Sequence, residues 1–351
     1  MISDNSKIIP ALRGVVNFVI SVGLAVLFLY LAFSDVNMGE VMELVTQASV
    51  FWMICFVVTF MFGHYVRTIR WKIILHSVKH DTKMKNLFGA VMIGYGVNCV
   101  TPKLGEVTRA IMIGRYENLS RSSMFGTIIV ERVIDIISLG SSVIISAFIW
   151  SSSLYEAFPW LMTSLYISAI IMSAILLMIY LSVKLKERFY GGIIKLVSRI
   201  SKKFAERLGY IFEMLIQGFT SLKGTKNYFL TIITSVLLIL NYALNAYLGF
   251  LMLNMQSVME VTFGMGFILM SISAIGTVIP TPGATGSYHA LAISTLVLLF
   301  GFGETISAAY AFLTHIISYI LFIVTALVMF FILNKQHASL LNIFKTNSEE
   351  A

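Results

Sequence analysis

Long apolar runs separated by short polar connections dominate this chain of 351 residues. Six runs are long enough for a helix to cross a bilayer, which takes about 20 apolar residues. They cover approximately residues 14–33, 48–66, 124–150, 158–183, 227–253 and 305–333. Only 12% of the residues are charged, whereas a soluble domain usually carries about a quarter. The pattern predicts an all-α polytopic membrane protein in which residues 1–351 form one transmembrane domain.

Two further apolar segments contain breaks. The run 87–100 is too short to span and ends at Thr101-Pro102, and the segment 263–300 is interrupted by two prolines and two glycines. Irregular backbone at membrane depth is tolerated only where protein or a water-filled cavity satisfies it. We therefore predict two re-entrant segments whose breaks meet near the middle of the membrane.

The basic residues fall on alternate connections. Lysines and arginines lie before the first run, between the second and third runs, within 184–226 and after the last run. In the other connections all charged residues are acidic, such as Glu40, Glu260 and Glu304. Because positive residues favour the cytoplasmic side, we expect a multi-pass protein of the cell inner (cytoplasmic) membrane with both termini in the cytoplasm. The same distribution accounts for the formal net charge of +8 without a nucleic-acid partner. The first run lacks a cleavage pattern, so we expect it to remain as an anchor.

This topology divides the chain into two similar halves. Residues of about 1–150 and 151–340 would each contain two spans, a re-entrant segment and a third span, in opposite orientations. Such inverted repeats are common in transporters. The Thr-Pro pairs at Thr101 and Thr281 agree with the predicted repeat.

The basic segment 184–226 has two interpretations. It contains apolar positions such as Ile194 and Val197 among its lysines and arginines. That pattern is typical of a helix that lies on an anionic cytoplasmic leaflet. A solvated linker that only orients the neighbouring spans is the alternative.

Polar groups surround the first break. Asn98 and Thr101 supply hydrogen-bonding side chains, Pro102 removes a backbone donor, and Gly105 would allow the chain to turn. We expect a helix to begin beyond Pro102. All four residues are candidates for binding a substrate.

Charged residues follow at helical spacing. Glu106 and Arg109 are three apart and share a face of the helix predicted after the break. Glu131, Arg132 and Asp135 lie within the third span, where ionisable groups are costly and usually face a cavity or one another. Arg109 and Arg132 would bind phosphate, and the three carboxylates would balance cationic groups or protons. The alternatives are structural Glu106–Arg109 and Arg132–Asp135 pairs.

The second break is the third candidate site. Pro280, Pro282, Gly283 and Gly286 exclude a regular helix, and the amides that they free would form an anion-binding concavity. His289 follows directly and is a candidate because of its position, although a lone buried histidine is more often a satisfied core group.

Enzyme signatures are missing from the sequence. It has no Walker loop, H-E-x-x-H, G-x-S-x-G or Cys-x-x-Cys motif. Cys55 and Cys99 lie far apart in apolar runs and predict neither a disulfide nor a metal site. We therefore expect a protein that is not an enzyme and has no cofactor.

Three motifs together resemble a known family. N-x-x-T-P-x-x-G-E-x-x-R at 98–109, E-R-x-x-D at 131–135 and P-x-P-G-x-x-G at 280–286 resemble the lysylphosphatidylglycerol synthase transmembrane-domain family, also called flippase-like membrane proteins. The resemblance implies that these residues contact a lipid carried between leaflets. Members often have glutamate at the position of His289 and arginine near that of His315, so the headgroup can differ.

These observations lead to three hypotheses. The first is a lipid translocase that moves a phospholipid or an aminoacyl or glycolipid headgroup through a polar cavity at the two breaks. Its partners would be a lipid with an anionic or zwitterionic headgroup and a separate cytosolic lipid-modifying transferase, because no transferase domain is expected within these residues. The second is a membrane-embedded accessory or transferase component in polyprenyl-linked or glycolipid synthesis, with Glu131 or Asp135 as a base. The third is a non-catalytic scaffold.

Overall fold

A computed structural model describes residues 5–34, 36–76, 78–150, 187–199 and 225–334, together with isolated positions between 163 and 209. In this part of the chain every regular element is helical, as the sequence predicted. The α-helices are α1 (Asn5–Phe33), α2 (Met38–Thr46), α3 (Val50–Leu75), α4 (Met84–Val100), α5 (Leu104–Tyr116), α6 (Arg121–Ile149), α7 (Glu187–Ser198), α8 (Thr225–Met252), α9 (Phe263–Gly276), α10 (Ser287–Ser294) and α11 (Glu304–Asn334). Short 3₁₀ turns lie at Met255–Ser257 and Pro282–Ala284, and a π-helical turn follows α10 at Thr295–Leu299.

Four helices of the described part are long and apolar enough to cross a membrane. They are Val15–Phe33 within α1, and α3, α8 and α11. These helices match four of the six predicted runs. Helix α6 has 29 residues, which corresponds to about 43 Å at 1.5 Å per residue, and its crossing of the membrane stays a prediction. The predicted run 158–183 lies outside the continuously described residues.

Helix α3 is longer than the sequence predicted. The expected span ended at residue 66, and the residues after it were assigned to a cytoplasmic connection, but the helix continues to Leu75. Arg67 and Arg70 therefore lie on a buried helical face, where they are 7% and 1% exposed.

Side-chain caps begin several of the helices. Asn37 accepts a hydrogen bond from the amide of Gly39 at the start of α2, and Ser120 accepts one from Ser123 before α6. Thr262 does the same for Met265 before α9. These side chains satisfy amides that have no partner in the first turn of a helix.

Packing divides the chain into two units that each combine distant segments. The first unit contains Met1–Phe62, Met92–Thr108 and Asn241–Phe331, and the second contains Gly63–Val91, Arg109–Leu240 and Ile332–Ala351. Since both units take residues from both halves of the sequence, they are not the predicted half-repeats. The inverted repeat stays a prediction.

Close helix contacts hold the first unit together. A Cβ atom added at Gly286 would lie 2.5 Å from the carbonyl oxygen of Ala25, so only glycine allows α10 to approach α1 this closely. Polar contacts join α3 and α8, where Asn241 donates to the carbonyl of Thr59 at 2.9 Å and the Thr59 hydroxyl donates to Asn245 at 2.5 Å. Small residues and interhelical hydrogen bonds of this kind are typical of helix packing in membranes.

A buried glutamate organises one end of the second unit. Glu117 is 4% exposed and accepts hydrogen bonds from the side chains of Lys79 and Asn86, both at 2.8 Å, and from the amide of Lys83 at 3.2 Å. Burial opposes ionisation of this carboxyl, but these donors hold the pKa of Glu117 below its ordinary value. The contacts tie the connection between α3 and α4 to the end of α5.

Helix α7 lies in the basic segment for which the sequence left two interpretations. Glu187–Ser198 is helical, and Leu196 is 63% exposed within it. A helix with exposed apolar residues agrees with a position on the membrane surface. That position stays a prediction, and most of the segment lies outside the described residues.

Candidate functional site

The first break has the location that the sequence predicted. Helix α4 ends at Val100 and α5 begins at Leu104, two residues beyond Pro102. Lys103 has a positive φ of 66°, so this residue, and not Gly105, makes the left-handed turn. The sequence analysis assigned the turn to Gly105, and this assignment was wrong. Glycine is needed there because a Cβ atom would overlap the carbonyl oxygen of Gly94.

Asn98 joins the two helices across this break. Its side-chain oxygen accepts a hydrogen bond of 2.8 Å from the amide of Gly105, and its nitrogen donates to Glu106 at 3.3 Å. Thr101 closes α4 through its amide, which donates to the carbonyl of Val97 at 2.8 Å. The predicted polar residues of the first break therefore stabilise its turn.

The second break is a compact turn between α9 and α10. Gly283 and Gly286 have φ values of 56° and 85°, a region that glycine adopts without strain. The hydroxyl of Ser287 donates to the carbonyl of Gly276 at 2.8 Å and lies 3.1 Å from that of Thr281. These bonds bring the two ends of the break together.

Several groups that were expected to bind an anion are engaged within this turn. The amides of Thr281, Ala284 and Thr285 donate to backbone carbonyls, and the amide of Gly286 donates to Nδ1 of His289 at 3.2 Å. His289 is 3% exposed and caps the first turn of α10. Its contacts are those of a satisfied core histidine.

The two breaks lie against each other within the first unit, and their re-entrant position near the middle of the membrane stays a prediction. The hydroxyl of Tyr319 on α11 donates to the carbonyl of Cys99 at 2.6 Å, and Nε2 of His315 donates to the carbonyl of Gly283 at 3.0 Å. A Cβ atom added at Gly283 would be 3.5 Å from the Cα of Cys99 and 2.6 Å from the ring of Tyr319. Helix α11 therefore holds both breaks through single side chains.

The second unit contains a cluster of six charged side chains, which we call the arginine cluster. Its members are Arg67, Arg70, Arg109, Glu131, Arg132 and Asp135, from α3, α5 and α6. Glu131 lies 2.7 Å from Nη2 of Arg109 and 3.0 Å from Nη1 of Arg67. It is also within 3.8 Å of Arg70 and 3.4 Å of Arg132.

Asp135 is the second carboxylate of the arginine cluster. It pairs with Arg67 at 2.9 Å, with Arg132 at 3.0 Å and with Arg70 through a short hydrogen bond. The pair between Arg132 and Asp135, which the sequence analysis gave as a structural alternative, is present, and binding of phosphate by Arg132 stays a prediction. Each carboxylate therefore faces several guanidinium groups.

Burial and charge make this cluster unusual. The side chains of Arg67, Arg70 and Arg109 are at most 8% exposed, and that of Glu131 is fully buried. Four guanidinium groups meet two carboxylates at this place in the second unit. Buried charges are costly unless they are paired, and several guanidinium groups at one place also form an arrangement that can bind an anion.

Neighbouring groups orient the arginines. The guanidinium of Arg109 lies 4.3 Å from the ring centre of Trp71, and the indole nitrogen of Trp71 donates to Thr127 at 3.2 Å. Arg70 donates to Ser235 on α8 at 3.2 Å. The Nε atoms of Arg70 and Arg109 are buried without a hydrogen-bond partner, so both side chains retain donor capacity.

The structure brings together some of the candidates and separates others. Arg109, Glu131, Arg132 and Asp135 meet in the second unit, whereas the residues of the two breaks belong to the first. Arg67 and Arg70 were missed, because they follow a predicted span and were counted as cytoplasmic charges. Their spacing of three on a mainly apolar helix was the available signal. Among the described residues no group of three or more potential metal ligands occurs.

Comparison with known proteins agrees with the sequence motifs. Residues 18–326 match the family described as the lysylphosphatidylglycerol synthase TM region. The chain belongs to this family. The lysylphosphatidylglycerol synthase TM region is a membrane domain and not a catalytic one, so membership shows a multi-pass membrane protein.

Two relatives of this chain are both described as UPF0104 membrane proteins. One, from Methanothermobacter thermautotrophicus, is 33% identical over 150 residues, which cover 40% of this chain and 43% of the relative. The other, from Methanocaldococcus jannaschii, is 24% identical over 268 residues, which cover 73% of this chain and 77% of the relative. No solved structure matches the chain.

Proposed function

We propose that this protein is a lipid translocase, which moves the headgroup of a membrane lipid between leaflets while the acyl chains stay in the hydrocarbon. The lipid would be a phospholipid or an aminoacyl or glycolipid with an anionic or zwitterionic headgroup. The protein would lie in the cell inner membrane with both termini in the cytoplasm, and a separate cytosolic transferase would modify the lipid.

The arginine cluster is the observation that carries this proposal. Arginine presents a planar set of donors that matches phosphate oxygens in two-point contacts. Arg67, Arg70 and Arg109 are buried on helices of a membrane protein, and the partly exposed Arg132 lies beside them. Their guanidinium donors converge where lipid phosphate would otherwise meet hydrocarbon.

The two breaks have a supporting role in this proposal. Discontinuous helices that meet at membrane depth are typical of transporter substrate sites. Asn98 and His289 stabilise the turns, and Tyr319 holds the first turn to α11. Both breaks would hold the ends of their helices in place while a headgroup crosses.

The test is lipid translocation in liposomes that contain the purified protein. Phosphatidylglycerol, its lysyl derivative and a polyprenyl phosphate would each carry a fluorescent label on the headgroup. A reductant added outside the liposomes destroys the label of the outer leaflet, and the fraction of label that remains protected in the inner leaflet would be followed in time. Wild-type protein should accelerate exposure of at least one lipid. Arg132→Ala should slow it about tenfold or more, since a charge-assisted hydrogen bond to phosphate is lost.

Arg115→Ala is the matched control. Arg115 lies in the last turn of α5, on the same helix as Arg109, but it is exposed. This variant should translocate lipid as the wild type does. If no lipid moves faster with wild-type protein than in empty liposomes, the translocase proposal fails. A covalent change in the extracted lipid would instead favour the transferase component.

A further inference from the structure

We propose that Asp135 occupies the place of a lipid phosphate in the arginine cluster, and that the site prefers a lipid with a terminal phosphomonoester over a phosphodiester. This inference rests on the proposed function, because it names the class of lipid that the translocase would carry. It assigns different roles to two carboxylates that lie one helical turn apart.

The two carboxylates differ in exposure. The side chain of Glu131 is 0% exposed, whereas those of Asp135 and Arg132 are 22% and 37% exposed. An incoming anion would therefore approach the arginine cluster from the side of Asp135 and Arg132. Glu131 is the permanent counter-ion, and Asp135 is the carboxylate that can move away.

Three arginines converge on Asp135. Arg67 and Arg132 contact Oδ2 at 2.9 Å and 3.0 Å, and Arg70 contacts Oδ1. One negative charge is thus shared among three cations from two helices. In the absence of lipid this carboxylate adds a second negative charge to that of Glu131 among the same three arginines and keeps them ordered.

A phosphomonoester satisfies this arrangement better than a carboxylate does. Its three terminal oxygens can accept from three guanidinium groups, and it carries nearly two negative charges above its second pKa of about 6. A phosphodiester offers two terminal oxygens and one charge.

Residual donor capacity agrees with an added ligand. Arg70 is 1% exposed, and its Nε is buried without a hydrogen-bond partner although its two terminal nitrogens contact Ser235 and Asp135. A group with more acceptor oxygens than a carboxylate can use this nitrogen. The headgroup would thus displace Asp135 toward the exposed side and take over its three partners.

The experiment measures equilibrium binding to the purified full chain in neutral detergent at pH 8. The ligands are a phosphatidic acid, the methyl ester of the same lipid and inorganic phosphate, so that the two lipids differ in charge and terminal oxygens but not in their acyl chains. Wild-type protein should bind the monoester about tenfold more tightly than the methyl ester. It should bind inorganic phosphate much more weakly than the monoester.

Asp135→Asn tests the role of the carboxylate. This variant keeps the shape of the side chain but lowers its competition for the arginines, so the monoester should bind about tenfold more tightly than to wild type. Asp81→Asn is the control, because it removes the same charge from an exposed connection and should leave binding unchanged. Weaker binding by Asp135→Asn would mean that Asp135 positions the arginines and is not displaced.

The wild-type measurements keep the inference testable even if a variant does not fold. Equal affinity for the two lipids would overturn the monoester preference, and translocation of either lipid would leave the proposed function standing. Equal affinity for inorganic phosphate and the monoester would indicate a site for free phosphate and overturn the lipid assignment. If neither lipid binds and no lipid is translocated, both proposals fail together.

Discussion

Arg109 and Glu131 form an ion pair of 2.7 Å between α5 and α6, and both side chains are buried. The pair links α5, the helix that begins after the first break, to α6. Because Glu131 also faces Arg67, one carboxylate connects three helices. It is the group whose loss should affect the fold most directly.

Replacing this carboxylate gives the first prediction. Glu131→Gln leaves Arg67 and Arg109 buried without their shared counter-ion, which we expect to cost about 3–5 kcal/mol. The protein should unfold at a clearly lower temperature in detergent, followed by the fluorescence of a thiol-reactive dye or by circular dichroism. Glu40→Gln, at an exposed position, is the control. An unchanged Tm for Glu131→Gln would show that this ion pair is not important for stability.

The close approach at the first break gives a second prediction. In Gly105→Ala the new methyl group would overlap the carbonyl oxygen of Gly94 and lie 2.7 Å from Cγ of Asn98. Overpacking of this kind costs about 1–3 kcal/mol, so Tm should fall. Gly23→Ala has nothing within 4 Å and should be neutral or slightly stabilising, since alanine is the better helix former. Equal Tm values for the two variants would contradict the helix contact.

Asn98 provides a third prediction, based on a pair of variants. Asn98→Asp keeps the side-chain oxygen that accepts from the backbone amide of Gly105. It replaces the side-chain nitrogen, which donates to Glu106 in the wild type, by a second carboxylate oxygen. We expect a loss of about 1–2 kcal/mol from the missing hydrogen bond and the repulsion. Glu106→Gln in the same chain should restore most of it. If the double variant is as unstable as Asn98→Asp, the contact between these two side chains does not explain the effect.

A fourth prediction follows from Glu117. Its pKa is lowered from the ordinary value of 4.5 because Lys79, Asn86 and the amide of Lys83 donate to it against the opposing effect of burial. The unfolded chain therefore takes up this proton first as the pH falls. Stability from Glu117 is present above about pH 4.5 and is lost as the pH falls through the lower pKa of the folded state.

The measurement is the difference in Tm between wild type and Glu117→Gln as a function of pH. Wild type should be more stable at pH 7, and the difference should shrink as the pH falls below the ordinary pKa of the carboxyl. The variant leaves the neighbouring Asn118, which has a left-handed backbone with a φ of 52°, unchanged. A difference that does not depend on pH would exclude the ionised carboxylate as its source.

The predicted topology can be tested with single cysteines. In a chain whose Cys55 and Cys99 are replaced by alanine, a cysteine at Glu260 or Glu304 should react with a membrane-impermeant maleimide added outside intact cells. A cysteine at Lys195 should react only after the membrane is permeabilised. This outcome follows from the alternation of acidic and basic connections. Labelling of Lys195→Cys from outside would reverse the orientation.

Local chemistry explains why the breaks could be predicted. Pro102 cannot donate a backbone hydrogen bond, and the prolines and glycines at 280–286 cannot continue a helix. The exact turn could not be predicted, since the left-handed residue is Lys103. Gly105 is required by Gly94 on another helix, and such a contact appears only when the helices pack.

The sequence by itself determined the membrane class, the helical fold and the two breaks, because these follow from local hydropathy and from proline and glycine chemistry. Helical spacing left the ion pair between Arg132 and Asp135 as an alternative. Only the tertiary structure decided the composition of the arginine cluster. Arg67 is 64 positions from Glu131 and 68 from Asp135 along the sequence. Over such a separation the sequence alone does not distinguish an arginine that pairs with these carboxylates from a cytoplasmic arginine at the end of an apolar run. Packing of α3 against α6 makes it a buried partner of two carboxylates.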